Sequence, residues 1–542
     1  MIENRILEYF KQDALAAQVF LGKYSFKGNE TPEDMHIRLA ENFAKKESSY
    51  INSYMYKKED FEKLSRYGKE RAESITHNHS NIFKYLFDTY YHLFKNFDLV
   101  IPAGSVMQGL GTGNPVSLSN CFFNGAMEDN MEDIYMKALS MAQIGKRRGG
   151  TSTDISYLRP RGAFVNNSAN KSSGPIPFLD LIDVTGKIIG QEGRKMAMMV
   201  TMDINHPDIA EFATIKNDLT KVTNANLSIK LNKSFMEAVE KDGDYILKFP
   251  CDLDLSKFSK EYLDVNYNEL YQIEDHTNDN EICYIKKIKA KELWDVIINS
   301  AWKYAEPGLL FWDNVLDYDP TSVYEELKPL GTNPCSELPL GILDSCRLLA
   351  TNLYSLVKNP FLTSSYFDKE FAYKIFYEAQ ILADILVDLE IDAVDMILSK
   401  INPNYKGEGK IPKEGNITEE FKLWIKIREI GRLGRRTGTG ITAYADMLAA
   451  LNLPYGEKEF TDSLFKLKLK AELDASTDMS IIKGSFPLYI DESLEYEFDI
   501  KKDRYVGKNK WYEFITLTYP LQAANMRIHA RRNAGLLMLA AY

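Results

Sequence analysis

Cysteine is scarce in this chain: five residues in 542, at positions 121, 251, 283, 335 and 346. That density excludes a disulfide-stapled scaffold. No C-x-x-C pair occurs and the spacing is wide, which opposes a zinc site. There are seven histidines, and only His77 and His79 lie close together; His77-Asn78-His79 reads as a polar loop, and no metal site is expected. Long apolar runs are also missing. Nothing approaches the roughly 18 consecutive apolar residues of a membrane helix. The N-terminus lacks a basic segment followed by an apolar one, so it does not read as a secretory signal. No membrane association and a cytoplasmic location are the expectations. Basic residues do not dominate either: 66 Lys and Arg against 77 Asp and Glu give a net charge of -11. A protein that binds a phosphate backbone usually carries a basic balance or patch, so no nucleic acid is expected as the main partner. A small nucleotide needs only a local cluster of Arg and Lys.

What is present is an ordinary globular composition, 45% hydrophobic and 26% charged. The length suggests three or four domains, or one very large one. Residues 1–95 read mainly as helix, with Asn29-Glu-Thr31-Pro32 marking a helix start and an aromatic stripe over Tyr85–Phe94 that reads as core packing. From about residue 96 the texture changes. Asp98–Pro102 reads as a short buried strand, a helix of about fifteen residues follows Asn130, and Lys146-Arg147-Arg148-Gly149-Gly150 is a basic glycine-rich turn. Apolar and helical segments then alternate, which is the pattern of an α/β protein. Residues 251–290 are acidic and Asn-rich, suiting an insertion. Phe371–Leu398 is a long amphipathic helix, with Asp384 and Asp388 one turn apart on what reads as a solvated acidic face. Gly438-Thr-Gly440-Ile-Thr-Ala443 fits a loose dinucleotide fingerprint. The helix before it contradicts that reading, so a glycine turn is expected.

The most specific segment is Gly331-Thr-Asn333-Pro-Cys335-Ser-Glu337-Leu-Pro339. A thiol stands two residues from an amide and two from a carboxylate. If the stretch is extended, all three side chains share one face, and the prolines favour an extended loop over helix. The trio offers a thiol, a hydrogen-bonding amide and a general base. The bland alternative is a buried small hydrophobe, the commonest fate of cysteine; a Glu beside it argues against that.

Asn333-Pro-Cys-Ser-Glu337 and Asp344-Ser-Cys346-Arg-Leu-Leu resemble the catalytic subunit of ribonucleotide reductase. So do Ser119-Asn120-Cys121, Lys146–Gly150, Leu158-Arg-Pro-Arg-Gly162, Gly193-Arg194, Asp218–Asn226 and Gly434-Arg-Arg-Thr-Gly438, in order along residues 20–540. The resemblance implies a ten-stranded α/β barrel of the ribonucleotide reductase and glycyl-radical type over residues 96–542, preceded by a helical domain over 1–95. It also implies roles. Cys335 becomes a thiyl radical that takes the 3′-hydrogen of a ribonucleotide, and it belongs on a loop inside the barrel, shielded from solvent. Glu337 is the base, Asn333 holds the sugar hydroxyls, and Cys121 and Cys346 supply the reducing equivalents and end as a disulfide. A thioredoxin- or glutaredoxin-like dithiol re-reduces that pair. Ser105 and Asn120 contact substrate. Asp129, Arg159, Arg194 and Lys195 belong to a site for a dNTP or ATP effector; Arg147 and Arg148 precede two glycines where guanidinium groups and backbone amides can also meet phosphate, whereas without the resemblance the preferred reading of this run is a solvated helix C-terminus.

The thiol pair and Glu337 oppose the formate-using anaerobic class. Adenosylcobalamin is favoured as the radical source over a metal-containing small subunit, on the likeness of the three thiol and glycine segments. Diphosphates are the favoured substrates, and a homodimer through the effector helices is plausible. The run Arg531–Tyr542 ends before the phosphate-binding P-T-x-x-S/T loop of the family, so the barrel is expected to be incomplete: either the gene is split and a second polypeptide supplies the rest, which is the favoured partner, or the chain is a fragment. The alternatives are another thiyl- or glycyl-radical barrel enzyme, such as a lyase, and a nucleotide-binding subunit inactive alone. A redox-neutral lyase has no need of the Cys121 and Cys346 pair.

Overall fold

The computed structural model describes residues 4–53, 58–165, 170–190, 195–250, 272–276 and 281–537. Up to residue 97 the described chain is helical. The principal helices are α1 (Ala14–Lys23), α2 (Pro32–Ser53), α3 (Arg66–His77) and α4 (Ile82–Phe94). At the start of α2 the Asp34 amide donates to Thr31 Oγ1 and the Thr31 amide donates back to Asp34 Oδ2, a reciprocal cap. Later come α5 (Met131–Gly145), α6 (Phe178–Ile188), α7 (Lys369–Ile401), α8 (Glu419–Gly434) and α9 (Lys458–Lys483).

Ten strands, among the described residues, form the two sheets that organise the remainder. They are β1 (Val100–Pro102), β2 (Cys121–Ala126), β3 (Gly150–Asp154), β4 (Met198–Asp203), β5 (Ala225–Leu231), β6 (Gly308–Phe311), β7 (Ser345–Cys346), β8 (Leu348–Asn352), β9 (Thr437–Thr442) and β10 (Leu536–Leu537). The larger sheet runs β7-β2-β3-β4-β5-β6, with β2 to β6 parallel and β7 antiparallel at its edge. The smaller runs β1-β8-β9-β10, with β8 to β10 parallel and β1 antiparallel. Only Arg347 separates β7 from β8, so one extended run passes from sheet to sheet. The architecture is mixed α/β built on parallel sheet, and its ten strands lie in two separate sheets. Asp244–Pro250, Gln272–His276 and Glu281–Lys289 form a small antiparallel sheet; most of the 251–290 segment read as an insertion, residues 251–271 and 277–280, lies outside the described residues.

Alternation along the strands divides the larger sheet into two chemically different faces. Met198, Val200, Met202, Leu227, Ile229 and Leu231 pack with apolar residues of α5 and α6. Their neighbours in sequence, Ser152, Asp154, Met199, Thr201, Asp203, Asn226, Ser228 and Lys230, occupy the other face in register. That face is largely polar, and something other than water has to hydrogen-bond it.

Two sequence expectations are corrected here. Asp384 and Asp388 do not lie on a solvated face. Helix α7 is enclosed by the N-terminal helices and α9, with which it shares one core. Asp384 is fully buried and accepts from Arg435 Nη2 at 2.8 Å and Asn533 Nδ2 at 3.0 Å, while Arg435 also meets Asp388 at 2.7 Å. Burial pushes the Asp384 carboxyl up, but Arg435, Arg532 and Lys483 outweigh it and hold it below the usual carboxylate range. Gly438–Thr442 is no turn. It belongs to the strand β9, buried over Thr437–Gly440 and paired in parallel with β8 and β10.

Among the described residues no helix is long and apolar enough to cross a membrane. His36 on α2 is buried edge-on to Phe97, with ring centroids 4.7 Å apart, and its Nε2 has no hydrogen-bond partner among the described residues. Burial lowers its pKa from 6.5 to about 4. The unfolded chain therefore binds more protons between those two values, and stability is lost as pH falls through that window, by roughly 3 kcal/mol at full effect. His36→Phe is expected to remove that part of the acid destabilisation, read as the difference between urea midpoints at pH 7 and pH 4.5 in the two proteins.

Candidate active site

The segment Gly331–Leu340 is a hairpin. Gly331-Thr332 pairs antiparallel with Pro339-Leu340, and residues 333–338 form its loop. Leu338 and Leu340 pack with Phe123 of β2, Leu348 of β8 and Ala103. The hairpin thus sits between the two sheets. Side chains of three neighbouring strands hold it from the polar face. Ser152 Oγ of β3 donates to the Thr332 carbonyl, Ser336 Oγ contacts Met199 Sδ of β4 at 3.0 Å, and Lys230 Nζ of β5 donates to the Leu330 carbonyl at 2.7 Å. Gly331 lies flat on the Phe123 ring, where a Cβ would collide.

The loop is not extended, which corrects the one-face reading of Asn333, Cys335 and Glu337. The Ser336 amide donates to the Asn333 carbonyl at 3.0 Å, and Ser336 has φ of 69°. Asn333 closes the loop a second time: its amide donates to the Leu338 carbonyl at 3.1 Å, and its Oδ1 accepts from the Leu338 amide at 2.9 Å. Turn closure, rather than strand alternation, is what gathers these residues. It draws Asn333 fully inside and leaves Cys335 exposed at the tip. The expectation that this thiol is shielded is therefore not met by the chain alone.

Three buried polar atoms of this loop have no hydrogen-bond partner among the described residues, Asn333 Nδ2 and both carboxylate oxygens of Glu337, and Ser105 Oγ, in the segment after β1, is a fourth such atom. Orphaned buried polar atoms are rare and costly, and a cluster of them marks a site for a ligand that supplies the missing partners. Ser105 and Asn120 are brought together, the Ser105 amide donating to Asn120 Oδ1 at 3.2 Å. Asn120 leads into Cys121, and its carbonyl accepts from the Gly150 amide at 2.7 Å.

Cys121 is buried at the start of β2. It stands directly opposite Cys346 in the antiparallel β2–β7 register and beside Gly150 in the parallel β2–β3 register. A Cβ on Gly150 would lie 3.4 Å from the Pro334 ring, so the hairpin loop reaches the same corner. Residues 225 apart in sequence are made neighbours by pairing alone. The approach to Cys121 is fixed by Glu390 of α7, which accepts from Ser117 Oγ and the Leu118 amide, each at 2.5 Å. Burial pushes its carboxyl up, against those two donors and Arg347. On the other side, Arg436 Nε meets Asp344 at 2.6 Å, and Arg347 donates to the Arg436 carbonyl at 2.9 Å.

A cavity of about 730 Å³ opens beside Gly104, Asn120 and Arg148. Its walls include Phe10, Phe20, Tyr24, Phe97 and Met107, and Lys23 of α1 adds a second cation. Arg148 is nearly buried, with φ of 77° at the end of α5. Its neighbour Arg147 is committed elsewhere, to Glu420 of α8 at 3.0 Å and the Pro115 carbonyl at 3.0 Å, and Lys146 also pairs with Glu420. Of the basic run, then, Arg148 lines the cavity, while Arg147 and the exposed Lys146 tie the end of α5 to Glu420 of α8.

Asp129 and Arg159 meet each other. The Arg159 side chain pairs with Asp129 Oδ2, and its amide donates to Asp129 Oδ1 at 3.1 Å. Lys195 is exposed just before β4, whereas Arg194 lies outside the described residues. Sequence reasoning missed Ser152, Asp154, Met199 and Lys230. The signal was there in Ala225–Leu231, where Asn226, Ser228 and Lys230 alternate with apolar residues, but that pattern ordinarily denotes a wet face.

Comparison with known proteins gives the family. A family profile described as "Ribonucleotide reductase, barrel domain" matches residues 119–527. The chain is 29% identical over 402 residues to the vitamin B12-dependent ribonucleoside-diphosphate reductase of Thermoplasma acidophilum, covering 73% of this chain and 44% of that protein. It is 26% identical over 405 residues to the vitamin B12-dependent enzyme of Mycobacterium tuberculosis, covering 74% and 48%. To the ribonucleoside-diphosphate reductase large subunit of Variola virus it is 25% identical over 386 residues, covering 69% and 44%. The chain spans about half the length of these curated relatives. With the family profile spanning three quarters of its length and the thiol hairpin seated between its sheets, the chain belongs to the ribonucleotide reductase family.

Proposed function

We propose that this chain carries the thiyl-radical site of a ribonucleotide reductase and acts on ribonucleoside diphosphates. The observation that carries the reading is the placing of the Asn333–Glu337 loop, with the orphaned polar atoms of those two residues, at the corner of Gly150 and the Cys121–Cys346 register pair. In this reading Cys335, as a thiyl, removes the 3′-hydrogen. Glu337 takes the 3′-hydroxyl proton, and Asn333 Nδ2 donates to the sugar oxygens. The 2′-hydroxyl leaves as water. Cys121 and Cys346 give up two hydrogens in forming a disulfide, a new 2′-C–H bond replaces the broken C–O bond, and Cys335 returns the 3′-hydrogen. One ribonucleotide and one dithiol thus become one deoxyribonucleotide, one disulfide and one water. An external thioredoxin- or glutaredoxin-like dithiol restores the pair.

The cavity beside Asn120 suits the substrate, with Lys23 and Arg148 toward the diphosphate and aromatic walls toward the base. Adenosylcobalamin is the favoured cofactor, because the Thermoplasma and Mycobacterium relatives bear B12-dependent names; when bound, it supplies the one-electron oxidation of a thiol. The exposed Cys335 tip fits a radical source that approaches from outside the hairpin, and Cys335 is the residue such a group must reach. The ten strands are read as the two halves of the family's barrel. Asp129 and Arg159, with Arg194 and Lys195, are proposed to receive a nucleotide effector, whose phosphates replace Asp129 as the partner of Arg159. Met131, Tyr135 and Leu139 on α5 and Val184 and Ile188 on α6 form an exposed apolar stripe, and a second copy of the chain is its proposed cover.

Three outcomes are expected. With adenosylcobalamin, a dithiol and a ribonucleoside diphosphate, turnover falls to background for Cys335→Ser and by about 10²–10⁴-fold for Glu337→Gln; deoxynucleotide formation by Cys335→Ser at the wild-type rate removes the radical assignment. Mild oxidation followed by peptide mapping yields a Cys121–Cys346 disulfide, because directly opposed strand residues fall within disulfide reach; recovery of both thiols unlinked counts against the pair. Tyr135→Asp combined with Ile188→Asp converts a dimer to a monomer in analytical ultracentrifugation, with the far-UV spectrum unchanged.

A further inference from the structure

Lys230 is an unusual residue to find on an inward strand face. It is nearly buried, and a buried ammonium is tolerated only when its donors are satisfied. Its Nζ pairs with the Asp154 carboxylate, donates to the Leu330 carbonyl at 2.7 Å, and stands 4.8 Å from the centre of the Trp312 ring. Asp154 is itself fixed, accepting from the Ser156 amide at 2.7 Å and Thr201 Oγ1 at 2.9 Å. The carboxylate therefore belongs to the sheet, while the ammonium reaches out of the sheet to a segment 100 residues away.

Leu330 and Thr332 are two residues apart on the same hairpin arm, and both carbonyls are taken by the larger sheet, one by Lys230 of β5 and one by Ser152 of β3. Two grips on alternate carbonyls fix both the distance and the rotation of the arm over the sheet. That arm leads straight into Asn333, Cys335 and Glu337. The hairpin's own ladder is short, Gly331-Thr332 against Pro339-Leu340 with one further backbone bond at each end, and a two-stranded pairing of that length needs outside support to be held still.

We propose that Lys230 is a positioning residue for the thiol hairpin: charged and anchored by Asp154, it pins the Leu330 carbonyl and so sets where Cys335 and Glu337 stand above the larger sheet. This rests on the reading of that hairpin as the carrier of the reacting thiol. The alternative is an ion pair internal to the sheet, with the Leu330 contact incidental.

The test uses two variants of the full chain, Lys230→Met and the double variant Asp154→Asn with Lys230→Met. The single variant strands a buried carboxylate and risks misfolding; the double variant removes both partners of the ion pair and, with Asp154, the like charge beside Asp203, and still releases Leu330. Amide hydrogen exchange is followed by mass spectrometry on peptides covering 331–340 and, as an internal control, β4 and β5. The expected result for the double variant is exchange at least about tenfold faster across 331–340 with wild-type protection in β4 and β5. Alongside it, kcat for ribonucleotide reduction falls about tenfold with KM changed less than about twofold. Wild-type exchange across 331–340 overturns the proposal. So does loss of protection throughout β4 and β5, which makes Lys230 part of the sheet's own stability. Exchange is read without turnover, so hairpin loosening in a chain that reduces no ribonucleotide leaves the grip standing and removes the catalytic reading. Unchanged exchange in an active enzyme does the reverse.

Discussion

The rest of the structure depends on one constraint: the inner face of the parallel sheet is polar and has to be hydrogen-bonded by protein. Apolar residues at the other parity commit the opposite face to the helices. The face bearing Ser152, Asp154, Thr201 and Lys230 is left with donors and a carboxylate that water reaches poorly. The 331–340 hairpin satisfies it by offering backbone carbonyls. Two sheets with a fully apolar interface would have closed directly on each other and left no room for a hairpin. The polar face is thus the reason that a thiol-bearing hairpin can be held between the two sheets.

The second determinant is the passage of one strand run between sheets. Ser345–Cys346 belongs to the larger sheet and Leu348–Asn352 to the smaller. The chain has a single residue in which to cross, and that residue, Arg347, is fully buried. Its charge is met by the Ser345 and Arg436 carbonyls, and Arg436 by Asp344. Buried arginines at the crossing are costly to leave unpaired, so their partners fix the crossing in one geometry. The Cys121–Cys346 register inherits that precision, as does the turn at Ser117–Ser119 held by Glu390.

Much of the fold was legible because it is local. The helix from Asn130 to Gly145, the strand ending at Pro102 and the long helix around Ile375–Leu389 announce themselves by periodicity and caps. The 331–339 segment was legible as a chemical site because a thiol, an amide and a carboxylate stand so close in sequence. Its geometry was not. Asn333 and Glu337 are gathered by a turn with Ser336 in the left-handed region, which no two-residue periodicity describes. The burial of Asp384 and Asp388 was equally hidden: their helix has an apolar side and an acidic side, and only the enclosing helices and Arg435 turn the acidic side inward. Gly438–Thr442 reads as a turn from its glycines until the neighbours β8 and β10 are known.

The sequence by itself determined the residue types of the chemistry, the helical beginning followed by an alternating α/β remainder, and the likeness to the ribonucleotide reductase family, since all of these are carried by short-range order. Tertiary structure alone decided which cysteines stand opposite each other in strand register, that Cys335 lies at an exposed tip while Asn333 is buried, and that Lys230 points at the hairpin instead of at solvent. The physical reason is range. Periodicity and motif spacing act over a few residues, whereas strand register, turn closure and the pairing of buried charges join residues tens to hundreds of positions apart. Those joins are fixed only when the whole polar interior is satisfied at once.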